Sequence, residues 1–153
     1  MLLQMCIVSN PYMMIAATRA ACAFAPTRLG LAHAMAMPLG AFAKIPHGDV
    51  IAILLPEVMR YNVVAAQSKF AEIARLFGID TRGMTLRQAA DAGVTAASDL
   101  LIDIGAPSKL SAYGVTEADL PKLAEESMSS GNVVVNPRPT RAADLVEIMR
   151  KCL

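Results

Sequence analysis

Apolar residues recur at helical spacing in one segment of this chain after another, and residues that start or stop helices stand at the ends of those segments. In residues 63–77 the apolar positions follow the order i, i+3, i+4 and i+7, and Gly78 comes next, where a helix commonly ends. Those positions are Phe70, Ile73, Ala74 and Phe77. No alternation of apolar and polar residues persists, and no strand-like run leads into a helix. The pattern predicts an all-α fold, a helical bundle.

Two capping boxes predict where further helices begin. Thr85 and Gln88 precede a long apolar stripe, and Thr116 and Asp119 repeat the pattern before a helix that is expected to run to about Ser130. In such a box the hydroxyl and the polar side chain three residues later each bind the other residue's backbone N–H, which satisfies groups that a helix start leaves unpaired.

A last helix is expected after Thr140, with cations in its final turn, where they suit the helix dipole. Its apolar stripe consists of Leu145, Ile148, Met149 and Cys152. Residues 132–139, just before it, hold a β-branched run and two prolines. This segment is predicted to be an extended connector.

Size and charge limit the classes of partner. A chain of 153 residues is the size of one domain, and its net charge of +1 leaves no excess to hold a nucleic-acid backbone. Mean hydropathy is high, at +0.45. The uncharged residues 1–18, however, are interrupted by polar residues and by Pro11, so they lack the continuous apolar run of a spanning helix. Neither nucleic acid nor a membrane is an expected partner.

The N-terminus and the cysteines favour a cytoplasmic protein. The first positive residue is Arg19, whereas a secretory signal begins with positive charge. Cys6, Cys22 and Cys152 are odd in number and form no C-x-x-C pair, so free thiols are expected. The nine glycines include no G-x-G-x-x-G, so the chain carries no motif that binds a dinucleotide.

Both histidines lie in residues 29–62, which read LGLAHAMAMPLGAFAKIPHGDVIAILLPEVMRYN. His33 is on an apolar, alanine-rich helix with Met37 one turn further along, and His47 stands at the start of the next helix. Two imidazoles fourteen residues apart could bind one iron or zinc ion if their helices pack together. The alternative is that His33 is a hydrogen-bonded core histidine.

The same stretch resembles the C-terminal signature of the iron-containing alcohol dehydrogenase family, in which G-L-x-H-x-x-A-H-x-L-G-A-F is followed by P-H-G and then by A-I-L-L-P. The matching residues are Gly30, Leu31, His33, Ala36, Leu39, Gly40, Ala41, Phe42, Pro46, His47, Gly48 and residues 52–56. The likeness extends to the NPRPT run at 136–140 and covers roughly residues 12–153. Residues 1–11 match nothing recognisable in the family.

The resemblance implies an enzyme of two halves, with a nucleotide-binding α/β domain first and a helical metal- and substrate-binding domain second. It implies Fe²⁺ or Zn²⁺ held by His33 and His47 together with an aspartate and a histidine from earlier in the helical domain. It also places Met37 and Phe42 in the substrate pocket and NAD(P) on the other half. Oxidation of alcohols to aldehydes or ketones, or the reverse, is then expected only when a separate nucleotide-binding half completes the chain.

This sequence departs from the family pattern at its metal ligands. The early aspartate and histidine would precede residue 12, and Met1–Pro11 supplies neither. Met37 replaces the family's active-site histidine, and a thioether cannot carry a proton. Substitute ligands could come from Asp49, Glu57 or Cys22; the alternative is that these are solvated carboxylates and a core thiol.

A second departure precedes the signature, where Pro26, Thr27 and Arg28 replace a turn that is normally small, polar and glycine-containing. Together the departures leave open a catalytically inactive helical interaction domain or a truncated gene product. Exposed apolar surface would then favour a homo-oligomer. The related maleylacetate reductases share the helical architecture, but the wording of the signature favours the alcohol dehydrogenases.

Overall fold

The structure is a computed structural model that describes residues 11–153. Its α-helices are α1 (Pro11–Phe24), α2 (Leu31–Ala43), α3 (His47–Asn62), α4 (Gln67–Leu76), α5 (Leu86–Asp103), α6 (Leu120–Met128), α7 (Gly131–Val134) and α8 (Ala142–Lys151). Short 3₁₀ turns occupy Val63–Ala65, Ser111–Tyr113 and Glu117–Asp119. The described residues contain no strand, which confirms the all-α prediction. No helix among them is long and apolar enough to cross a bilayer.

The main core forms where α2, α3, α6 and α8 meet. Each helix contributes large side chains that solvent does not reach. Burial of one such side chain stabilises a fold by about 1.5–3 kcal/mol, so this cluster holds the four helices together. Its largest members are Leu31, Met35 and Leu39 of α2, Val50 and Leu54 of α3, Leu120 and Leu123 of α6, and Leu145 and Met149 of α8.

Helices α4 and α5 form a separate hairpin that packs on α3. Small residues face each other across it, since Ala71, Ala74, Ala90 and Gly93 are all buried. A Cβ added to Gly93 would collide with the carbonyl oxygen of Phe70. The close approach of the two helices therefore depends on small side chains.

The expected helix starts agree with the structure in two places. Gln88 N–H donates to Thr85 Oγ1 at 3.2 Å, and Thr85 N–H donates to Gln88 Oε1 at 2.8 Å. The box of Thr116 and Asp119 is also formed, but it begins a 3₁₀ turn from which α6 continues. The helix expected over 63–77 begins with a 3₁₀ turn and becomes α-helical only at Gln67.

The extended connector predicted for residues 132–139 is wrong in its first part. Residues 131–134 form the single helical turn α7, because the Ser130 hydroxyl accepts the N–H of Asn132 at 3.3 Å and caps it. The β-branched valines of this segment favour a helix less than most residues do, but this preference is weak. Over a single turn the Ser130 cap outweighs it.

Helix α1 is 14 residues long and none of its residues is buried, a feature it shares only with the single turn α7 among the described helices. Met13, Met14 and Ile15 are 58%, 64% and 50% exposed. The described residues thus leave one apolar helix without a packed face.

We predict that Gly93→Ala lowers the free energy of unfolding by about 1–3 kcal/mol, because the new methyl group must push α4 away from α5. Gly48→Ala is the matched control, since a Cβ at that helical glycine meets nothing within 4 Å. Urea denaturation of both variants measures the difference. Equal stability of the two variants would contradict this account of the hairpin.

Candidate metal centre

A three-residue turn sets the position of α3 against α2. Lys44 adopts a left-handed conformation with φ of 54°, Ile45 is buried in the core, and Pro46 stands at the N-cap of α3. Gly40 gives this turn room, because an added Cβ would lie 3.4 Å from the carbonyl oxygen of Ile45. The turn brings the start of α3 back beside α2, and the two helices pack on each other.

The structure brings the two histidines together. The ring centres of His33 and His47 lie 5.2 Å apart, and their planes are tilted by 53°. With metal–nitrogen bonds of about 2.0–2.1 Å and a tetrahedral angle, two imidazole rings on one cation would have centres about 5 Å apart. The nitrogen part of a shared metal centre therefore fits the spacing of the two rings.

The environment of His33 favours its neutral ring. Partial burial lowers the pKa of His33 below the ordinary value for histidine, and the charge of the nearby His47 lowers it further. A neutral imidazole has the free lone pair that a metal ion needs. Burial and the neighbouring charge thus favour the neutral His33 ring, which can bind a metal cation, over the doubly protonated ring, which cannot.

The described residues supply only two ligands at this place. No group of three or more His, Cys, Asp and Glu side chains among them could hold a metal ion. The suggested substitutes are elsewhere: Asp49 accepts a hydrogen bond from Tyr113 Oη at 2.9 Å, and Glu57 lies 2.6 Å from Arg60. Cys22 is exposed on α1. Four-coordinate binding would need ligands from outside this part of the chain.

A cavity of about 330 Å³ opens beside His33. Its apolar wall comes from α3, with Ile51, Leu55 and Val58. Met37 and Phe42, which the sequence placed in a substrate pocket, do not line it; they are 67% and 47% exposed on α2. Their role in a pocket remains a prediction.

The NPRPT segment closes this cavity through hydrogen bonds to the end of α3. Asn136 and Asn62 exchange two side-chain bonds of 2.8 Å. The guanidinium of Arg138 lies 4.0 Å from the ring centre of Tyr61 and donates to the Tyr61 carbonyl oxygen at 3.0 Å. The Tyr61 hydroxyl donates to the Pro139 carbonyl oxygen at 2.8 Å. In this structure the segment is an anchor for the cavity wall.

Of the lining residues, only His33 was identified as a site residue from the sequence, and two of the others matter for the site. Asn62 is one of them, because a single asparagine at a helix end gives no signal of a partner 74 residues away. The other is Arg28, which belongs to the turn at residues 26–28 that was noted from the sequence as a departure from the resemblance. That turn forms one edge of the cavity.

We predict that, in metal-free protein, His33 titrates below the ordinary pKa of histidine and that His47→Gln raises this pKa only in part, since burial persists. Since the pKa of His33 is lower in the folded chain, the unfolded chain takes up the extra proton at a higher pH. The contribution of His33 to the free energy of unfolding is therefore present above about pH 6.5, and it is lost as the pH falls towards the pKa of His33 in the folded chain. Proton NMR of the His33 imidazole, in the wild type and in His47→Gln, measures the two pKa values. A His33 pKa unchanged by His47→Gln would contradict the proximity of the rings.

We also predict that Asn136→Ala lowers the free energy of unfolding by about 1–3 kcal/mol, because it leaves the buried Asn62 amide without its partner. Asn132→Ala removes one longer bond at the surface, to the Leu29 N–H at 3.3 Å, and serves as the comparison. Urea denaturation should rank Asn136→Ala as the more damaging change. The reverse ranking would argue against the anchor.

Comparison with known proteins identifies the family to which the chain belongs. Residues 9–153 match the profile of the Fe-containing alcohol dehydrogenase family, C-terminal. The 1,3-propanediol dehydrogenase of Citrobacter freundii is 42% identical over 139 residues, which are 91% of this chain and 36% of that protein. The lactaldehyde reductase of Escherichia coli (strain K12) is 43% identical over 125 residues, 82% of this chain and 33% of that protein. The chain thus spans about a third of the length of these relatives.

Solved structures agree with the sequence comparison. An alcohol dehydrogenase from Oenococcus oeni superimposes with a TM-score of 0.89 at 34% identity, over 96% of this chain and 40% of that one. A 1,3-propanediol oxidoreductase gives 0.79 at 41% identity, over 82% and 33%. In both, the helical arrangement is matched together with the sequence. The chain therefore belongs to the iron-containing alcohol dehydrogenase family and corresponds to its C-terminal, helical part.

Proposed function

We propose that this chain serves as the metal- and substrate-binding half of an NAD(P)-linked alcohol dehydrogenase, active when a nucleotide-binding half completes it. The observation that carries the proposal is the pair of imidazole rings, 5.2 Å apart, at the two signature positions His33 and His47. Family membership alone would leave open whether these positions still meet. Their spacing suits a common Fe²⁺ or Zn²⁺.

In this proposal each half has a separate task. His33 and His47 hold the cation, and the cavity beside His33 receives the substrate on its apolar wall. When bound, the metal supplies Lewis acidity that lowers the pKa of an alcohol. Met37, which is exposed one turn from His33, offers no group that moves a proton, so such a group would come from elsewhere.

The remaining parts of the proposal rest on the relatives. Their names, 1,3-propanediol dehydrogenase and lactaldehyde reductase, point to small alcohols and aldehydes as substrates. NAD(P) would bind to the nucleotide-binding half, and the missing aspartate and histidine ligands would come from the part of the helical domain that precedes this chain's matching residues. A cytoplasmic location accords with the free thiols of Cys22 and Cys152; Cys6 lies outside the described residues.

The test is metal uptake by the purified 153-residue chain. Titration with Zn²⁺, and with Fe²⁺ under anaerobic conditions, should show binding that the His33→Ala, His47→Ala double variant weakens at least about tenfold, a difference of roughly 1.4 kcal/mol. Cys22→Ser is the control, because it removes an exposed thiol that could bind metal adventitiously. Equal uptake by wild type and double variant, or loss of uptake in Cys22→Ser, would refute the proposal.

The exposed face of α1 favours a second candidate function, a helical interaction domain without catalysis. Met13, Met14 and Ile15 present apolar surface that nothing in the described part of the chain covers. A homo-oligomer that buries this face should dissociate in a Met14→Lys, Ile15→Lys variant, as measured by analytical ultracentrifugation. A wild-type chain that stays monomeric at high concentration would exclude self-association through α1.

A further inference from the structure

The residues that line the cavity beside His33 include one arginine, Arg28, and no acidic residue. Its titratable lining side chains are Arg28 and His33, and its other lining residues are apolar or uncharged. The fixed charge of the cavity is therefore the guanidinium of Arg28, which stays protonated at any accessible pH.

The backbone holds Arg28 in place at some cost. Its φ of 63° lies in the left-handed region, which few residues other than glycine adopt. The turn around it is tied down on both sides: the Thr27 hydroxyl donates to the Phe24 carbonyl oxygen at 3.2 Å, and the Leu29 N–H donates to Asn132 Oδ1 at 3.3 Å. A glycine would adopt this conformation without strain. The strain at this position is therefore offset by something that the arginine side chain provides and a glycine would not.

Gly131 makes room for the guanidinium. A Cβ added to Gly131 would collide with Nη1 of Arg28, so the side chain lies directly against this glycine. The guanidinium thus lies on the first residue of α7, while Arg28 itself is exposed to solvent. Two separate positions, one glycine and one arginine, thus combine to place a cation here.

Arg28 also has no carboxylate partner in the described part of the chain, unlike most of its arginines. Ion pairs are formed by Arg60, Arg75, Arg82, Arg87, Arg141 and Arg150. Arg138 is stacked on Tyr61. An unpaired guanidinium retains its planar set of donors, which matches the two oxygens of a carboxylate.

We propose that this cavity selects small hydroxy acids or their aldehyde counterparts, with the substrate carboxylate on Arg28 and its carbon chain along Ile51 and Leu55. The inference rests on the proposed function in one respect: the alcohol or aldehyde end then faces His33. Binding of the carboxylate itself requires no metal and no nucleotide. Arg28 is a specificity-determining residue in this view.

The test compares two ligands of equal length, 3-hydroxypropanoate and propane-1,3-diol, by NMR titration of the full chain in the presence of EDTA. We expect the acid to bind roughly tenfold or more tightly than the diol, as a charged hydrogen-bond pair predicts. Arg28→Gln should reduce this preference to less than about twofold, and Arg28→Lys should retain part of it. Arg82→Gln is the matched control, because that exposed arginine pairs with Asp80 in another turn.

A second variant protects the test against misfolding of Arg28→Gln. Gly131→Ala leaves Arg28 in the sequence but displaces its guanidinium, so it should also weaken the acid preference. Equal affinity for acid and diol in wild type, or an acid preference that survives both variants, overturns the proposal. So does tighter Arg28-dependent binding of inorganic phosphate or NAD than of the acid, which would assign the cation to the nucleotide.

Failure of this inference can be distinguished from failure of the metal proposal. The His33→Ala, His47→Ala variant should lose metal uptake and keep the preference for the acid in EDTA. Arg28→Gln should do the opposite. The wild-type chain could bind no metal and still bind the acid through Arg28. That result would support the carboxylate site and would refute the metal-binding role of His33 and His47.

Discussion

The packing of α2 against α3 is the contact on which the site depends. Leu31, Met35 and Leu39 on one helix and Val50 and Leu54 on the other are almost fully buried, and together they form the centre of the main core. Each buried side chain is worth about 1.5–3 kcal/mol, far more than any interaction between two half-solvated imidazoles. The rings of His33 and His47 therefore meet because hydrophobic packing fixes their helices, and this leaves the nitrogens available for a ligand.

The same core explains how the chain accommodates unfavourable local features. Pro38 lies inside α2, where it removes a backbone donor, and Lys44 takes a left-handed conformation at the end of that helix. Buried Leu39 directly follows Pro38 and buried Ile45 directly follows Lys44, so each irregular position is anchored in the core at the next residue. The strained stretch leads directly into the turn before His47, so core packing compensates for irregular backbone close to the site.

Polar contacts serve a different purpose around the cavity. Asn62, Asn136, Tyr61 and Arg138 form reciprocal bonds that hold the segment after α7 on the end of α3. Their contacts are with each other and with backbone, so their role in this structure is to hold the segment in place. The charge in the cavity comes from Arg28.

The sequence by itself determined the helical class, the capping boxes at Thr85 and Thr116, and the two histidines, because these follow from periodicity, from local hydrogen bonds and from a resemblance read residue by residue. It misjudged residues 132–134, where one cap at Ser130 decided the conformation. Only the tertiary structure decided that the imidazoles lie 5.2 Å apart, and that Arg28, set against Gly131, edges a cavity without acidic residues. The physical reason is that such distances depend on packing between helices far apart in sequence, which a local pattern does not contain.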